Sequence, residues 1–171
     1  MRKALIPLTV AIVAAVMALG TVLPVSANGG TSLTLNLIID GRDTAQDVGD
    51  VTVTYDGAGT FTVDYLITDP NWALVETHVY LDTSAPTRSA PGKFPYAGGD
   101  TISLTVGSGD TVYIAAHAEL QMIDANGDPI LDPETGLPIE ETGWAQSPDL
   151  PNNPIPPGKN WATYVEWVPV P

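Results

Sequence analysis

Beyond residue 32 the chain alternates between apolar and polar side chains, and this pattern limits its fold more than any other feature. Leu33, Leu35 and Leu37 interleave with Thr34 and Asn36; Val51, Val53 and Tyr55 with Thr52 and Thr54. Phe61, Val63, Tyr65 and Ile67 interleave with Thr62 and Asp64. A period of two places every second side chain on one face of an extended strand, so these runs predict half-buried β-strands. Further strands are expected over Ala73–Asp82, Thr101–Val106, Thr111–Ile123, Ile139–Ala145 and Trp161–Val168. The 16 prolines and 16 glycines oppose long helices. Asp56-Gly57-Ala58-Gly59 and Gly107-Ser108-Gly109-Asp110 both read as four-residue hairpin loops. The expected fold is all-β: one antiparallel two-sheet sandwich of about eight strands, with a closed β-barrel as the alternative.

Two stretches break the alternation. Ser84–Gly99 carries Pro86, Pro91 and Pro95 around Phe94 and Tyr96, and Ser147–Lys159 is also rich in proline. Proline lacks the ladder donor, so neither is expected to be a paired central strand. Both read as loops, available for binding or simply stiffened connections.

The first 27 residues have a different composition. Arg2 and Lys3 precede an apolar run from Ala4 to Leu19, and Val25-Ser26-Ala27 supplies a small-x-small end. These are the three parts of a secretory signal peptide, with cleavage expected after Ala27. An uncleaved membrane anchor is the competing reading, which Pro7, Gly20 and Pro24 weaken. Cleavage would leave one domain, residues 28–171, in which four basic residues face 20 acidic ones for a net charge of −16. Such a surface disfavours nucleic acid and anionic lipid as partners and leaves cations and neutral ligands. The sequence contains no cysteine. The domain is therefore expected to be held by its core without disulfides, and no lipid-bearing cysteine or apolar C-terminal tail is expected to anchor it.

Chemistry-bearing side chains gather in two places. Glu76, His78 and Tyr80 alternate along one expected strand, leaving Val75, Val79 and Leu81 on its other face. Tyr113, His117 and Glu119 share one face of a second strand, opposite Ile114, Ala116, Ala118 and Leu120. If the two strands are neighbours, Glu76, His78, His117 and Glu119 form a candidate zinc or other transition-metal set. The same groups also suit acid–base chemistry or a cross-strand hydrogen-bond network. The second place is Asp124-Ala125-Asn126-Gly127-Asp128 with Asp132, whose alternating oxygen ligands make a calcium candidate. Pro129 and the absence of an acidic residue at the twelfth position separate it from an EF-hand, and Asn-Gly-Asp-Pro is also ordinary turn vocabulary.

Aromatic residues offer a third possibility, a stacking platform for sugars. Trp72, after Asp69-Pro70-Asn71, is expected to be exposed, and Tyr80, Phe94, Tyr96 and Tyr113 are the other ligand-binding candidates. Trp161 and Trp167 are expected to share a buried face with Thr163 and Val165. No nucleophile elbow, phosphate loop or His-Glu-x-x-His helix is present in the sequence.

Four segments together resemble a known group: Glu76–Tyr80, Pro91-Gly92-Lys93-Phe94-Pro95-Tyr96, Tyr113-Ile114-Ala115-Ala116-His117-Ala118 and Trp161-Ala162-Thr163-Tyr164. They are similar to an ETHLY…PGxFPY…YIAAHA…WATY series in secreted or surface proteins of bacteria and archaea. The resemblance spans roughly Trp72 to Tyr164 and implies export and an extracellular β domain, without supplying an activity. The acidic stretch Asp124–Pro138 departs from that series, so a calcium role there would belong to this chain alone. The functional expectation is a secreted, acidic, non-enzymatic module that binds a glycan or surface protein. A zinc or calcium domain and a carbohydrate-binding module are the alternatives.

Overall fold

The alternating runs become paired strands because one face of each finds an apolar partner. A computed structural model describes residues 31–40, 45–157 and 161–170, and the expected signal peptide, residues 1–27, lies outside them. Its strands are β1 (Thr31–Ile39), β2 (Gln46–Tyr55), β3 (Thr60–Ile67), β4 (Trp72–Asp82), β5 (Thr101–Ser103), β6 (Val112–Met122), β7 (Glu140–Gln146), β8 (Asn153–Pro154) and β9 (Thr163–Trp167). A single 3-10 turn, Pro91–Lys93, is the one helical element among the described residues. None of them forms a helix long and apolar enough to cross a membrane.

Every strand pairing is antiparallel, and the all-β expectation holds. The layering differs from two separate sheets. The nine strands form one hydrogen-bonded sheet in the order β5-β3-β2-β1-β7-β6-β9-β8, with β4 on the other edge of β6. Continuity comes from β1, whose second half pairs with β2 on one side and with β7 on the other. The sheet curls into a half-barrel, and the inner faces of β1–β3 meet those of β4, β6 and β9 in one core. Phe61 is fully buried there, stacked on Tyr55 at 4.6 Å and edge-on to Trp167 at 6.4 Å. Full burial of one such side chain contributes about 1.5–3 kcal/mol.

The gap between the edges of β3 and β4 is bridged by the segment that leads into β5. Tyr96 exchanges two backbone hydrogen bonds with Val79 of β4, at 2.7 and 3.2 Å. Gly98 N–H donates to Thr77 Oγ1 at 2.8 Å, and Gly99 N–H donates to the Val63 carbonyl of β3 at 2.8 Å. β5 then pairs with Thr60–Thr62.

A second, smaller apolar layer lies outside the sheet, on the opposite face of β6 and β7. Ala115, Trp144, Ile155 and Ala162 are buried in it, and Tyr80, Phe94, Trp161 and Tyr164 pack around them. Phe94 and Ile155 come from the two proline-rich stretches, which are therefore tied down onto the sheet. The second stretch also contributes β8, a two-residue strand on the edge of β9, where Pro154 needs no ladder partner on its outer side.

Several expectations are corrected by these contacts. Gly107–Asp110 does form a turn, closed by Asp110 N–H to the Gly107 carbonyl at 3.1 Å, but it is not a hairpin loop. The strands it joins lie apart: β5 pairs with β3, and β6 belongs to the other side of the core. Asp56–Gly59, by contrast, joins the paired β2 and β3, with Gly57 and Gly59 at φ of 78° and 103°. Trp72 is only 7% exposed, because it faces the main core opposite Met122. Trp161 precedes β9 and packs in the outer layer, whereas Val165 and Trp167 turn to the main core.

Candidate metal centre

The register of β4 against β6 brings together the residues expected to share a polar face. His78 stands directly opposite His117, Glu76 opposite Glu119, and Tyr80 opposite Ala115. A bulge makes this register possible. Trp72 pairs with Met122 against the core and Leu74, itself 40% exposed, pairs with Leu120; then Val75 is left over, and Glu76 resumes opposite Glu119. Val75, expected to face inward, is instead 55% exposed. The extra residue absorbs the break in parity, so Thr77, Val79 and Leu81 face inward and Glu76, His78 and Tyr80 outward.

One donor atom each from Glu76, His78 and Glu119 lies within 4.8 Å of the others. Among the described residues this is the group of His, Cys, Asp and Glu side chains that converges so closely. His78 Nε2 is 3.6 Å from Glu76 Oε1, beyond a hydrogen bond. Donors around a tetrahedral zinc stand about 3.4 Å apart, from bond lengths of about 2.0–2.2 Å. Closing the difference requires only small side-chain rotations, and both glutamates are exposed. The arrangement is unfavourable without a cation, because two like charges directly opposed on neighbouring strands repel. Glu140 and Glu141 line a hollow with Glu119 and Thr142, adding to the negative potential on that side.

His117, the fourth residue of the expected set, is not among these converging donors and sits in a different environment. It is 3% exposed, its ring is edge-on to Trp144 at 4.9 Å, and its Nδ1 has no hydrogen-bond partner. The two imidazole rings are 5.7 Å apart and inclined by 32°. Burial, reinforced by the neighbouring His78, pushes the His117 pKa down to about 4, so its ring is neutral at physiological pH. On the far side Tyr65 O–H donates to the His117 carbonyl at 3.1 Å, and burial raises that phenol.

The calcium candidate is built differently. Asp124 Oδ1 accepts the amides of Asn126 and Asp128 at 2.8 and 2.9 Å, and Asp132 Oδ1 accepts those of Glu134 and Thr135 at 2.9 and 2.8 Å. These amides hold both carboxyls below the ordinary carboxylate pKa. Their oxygens are thus engaged in closing turns, and Asp124, Asp128 and Asp132 do not converge as a group. Of the aromatic candidates, Phe94 is wedged between Tyr80, at 5.8 Å, and Trp144, at 6.1 Å. Tyr80 O–H donates to the Ser84 carbonyl at 2.8 Å, and Tyr96 bridges Val79. Tyr113 lies against Tyr164, 5.9 Å away and tilted by 49°.

Sequence reasoning missed Trp144 as the wall behind His117 and Tyr65 as the support of its backbone. Trp144 faces His117 across the β6–β7 ladder, a pairing that no local pattern announces. Comparison of the chain with protein-family models, with curated proteins and with solved structures found no match. The resemblance carried by the four segments therefore rests on those segments themselves.

Proposed function

We propose that this protein is a secreted, acidic, non-enzymatic β domain of the cell surface or extracellular matrix. Its working part is a divalent transition-metal centre, with zinc the best fit, at Glu76, His78 and Glu119. The observation that carries the reading is the convergence of three donor atoms from two adjacent strands within 4.8 Å. An imidazole among the donors favours a transition metal over calcium or magnesium, which take oxygen ligands. The export part of the reading is supported by the basic, apolar and small-residue succession of residues 1–27. A calcium role at Asp124–Asp132 ranks behind, because its carboxylates already cap turns.

Zinc should raise the melting temperature of the chelator-treated protein. At a free concentration 100-fold above Kd the gain is about 2.7 kcal/mol, or roughly 5–10 °C for a domain of this size. His78→Ala and Glu119→Gln should abolish the rise and lower the zinc content found by elemental analysis. No shift with zinc, or a shift with calcium alone, would overturn the metal centre. Turnover of a polysaccharide, ester or peptide that disappears in His78→Ala would overturn the non-enzymatic reading.

A further inference from the structure

We infer that His117 is the fourth protein ligand of this centre, so that the ion is enclosed as a staple between β4 and β6 with no position left open for a substrate. The inference rests on the metal reading above and adds the coordination number and the role of the ion.

Three observations support it. First, His117 is the residue paired with His78 across the ladder, its ring 5.7 Å from that of His78. Directly opposed residues of an antiparallel pair have Cα atoms about 4.5–5.5 Å apart, which puts the two side chains on one rung of the ladder. His117 is not among the donors that already lie within 4.8 Å of one another, so its ring must turn to join them. Second, Nδ1 of His117 is buried without a hydrogen-bond partner, in a residue 3% exposed. Native structures rarely leave such an atom unsatisfied, and coordination would satisfy it after a side-chain rotation away from Trp144. Third, three donors leave zinc one short of the closed tetrahedral shell of structural sites, and two imidazoles with two carboxylates complete it. A staple also suits the chain, which has no cysteine to link its strands.

The test uses cobalt(II) in place of zinc and full-length, untagged protein. Wild type should show the intense visible bands of four-coordinate cobalt. His117→Phe, which keeps a ring against Trp144, should show the weak bands of a higher-coordinate, hydrated ion and should bind zinc at least about tenfold more weakly. Because the sequence contains two histidines, the ring nitrogens of wild type can also be read directly by long-range proton–nitrogen NMR. Both rings should shift on adding zinc, and this measurement needs no variant to fold. Unchanged cobalt bands and zinc affinity in a folded His117→Phe would overturn the inference, as would a zinc-induced shift confined to His78; either would leave a three-ligand site standing. If wild type binds neither ion, the inference falls together with the metal reading.

Discussion

His117 shows how one residue's surroundings set the protein's response to acid. In the unfolded chain it takes up a proton near pH 6.5; in the folded protein burial delays this to about pH 4. Between these values the unfolded state binds more protons, so stability is present above pH 6.5 and is lost as the pH falls toward 4. A shift of this size corresponds to about 3 kcal/mol. Urea midpoints recorded in chelator at pH 7, 5.5 and 4.5 should fall in wild type and stay nearly level in His117→Phe. A wild-type profile flat over that range would contradict the buried, neutral imidazole. Asp56, Asp69, Asp124 and Asp132, held low mainly by backbone amides, respond only at more acid pH. Gly49 is a second residue fixed by its surroundings, since a Cβ there would stand 2.2 Å from the Leu66 carbonyl oxygen. It follows the bulge at Val48, where β1 and β2 change register.

At the level of elements, the β4 bulge separates what the sequence expresses from what it conceals. Val75 is the unpaired residue, and Leu74 and Glu76 already face adjacent residues of β6. Deleting Val75 should therefore straighten β4 while keeping Glu76 opposite Glu119. Zinc affinity of the deletion variant should stay within a few-fold of wild type by calorimetry. A large loss would show that the twist of the bulge itself positions Glu76. The alternation of β1, β2 and β3 was legible because each has one face in the core and one outside. β6 is buried on both faces from Ile114 to Ala118, yet its period of two still gave the sharing of a face by His117 and Glu119. Three features were not legible. The inward Trp72 and outward Val75 depend on a parity break that β6 imposes. The separation of β5 from β6 depends on β3 offering β5 an edge. The outer layer depends on Phe94 and Ile155 finding Trp144 and Ala115, contacts between stretches distant in sequence.

Over the whole molecule, charge sets the terms. The sequence carries a net charge of −14, and such self-repulsion weakens the compact state until salt screens it. Raising sodium chloride from low to near-molar concentration in chelator should raise the melting temperature by a few degrees. A fall would indicate that attractive pairs outweigh the repulsion. Acidity limits association at long range, but a sheet that ends in bare backbone can still capture another chain at contact. The bridge from Tyr96 to Ser103 occupies part of both flanks, engaging Thr77 and Val79 on one side and Thr60–Val63 on the other. There a passing extended peptide finds little to zip onto. Among crowded copies, the parts of the edge so covered are closed to strand addition by geometry as well as by charge.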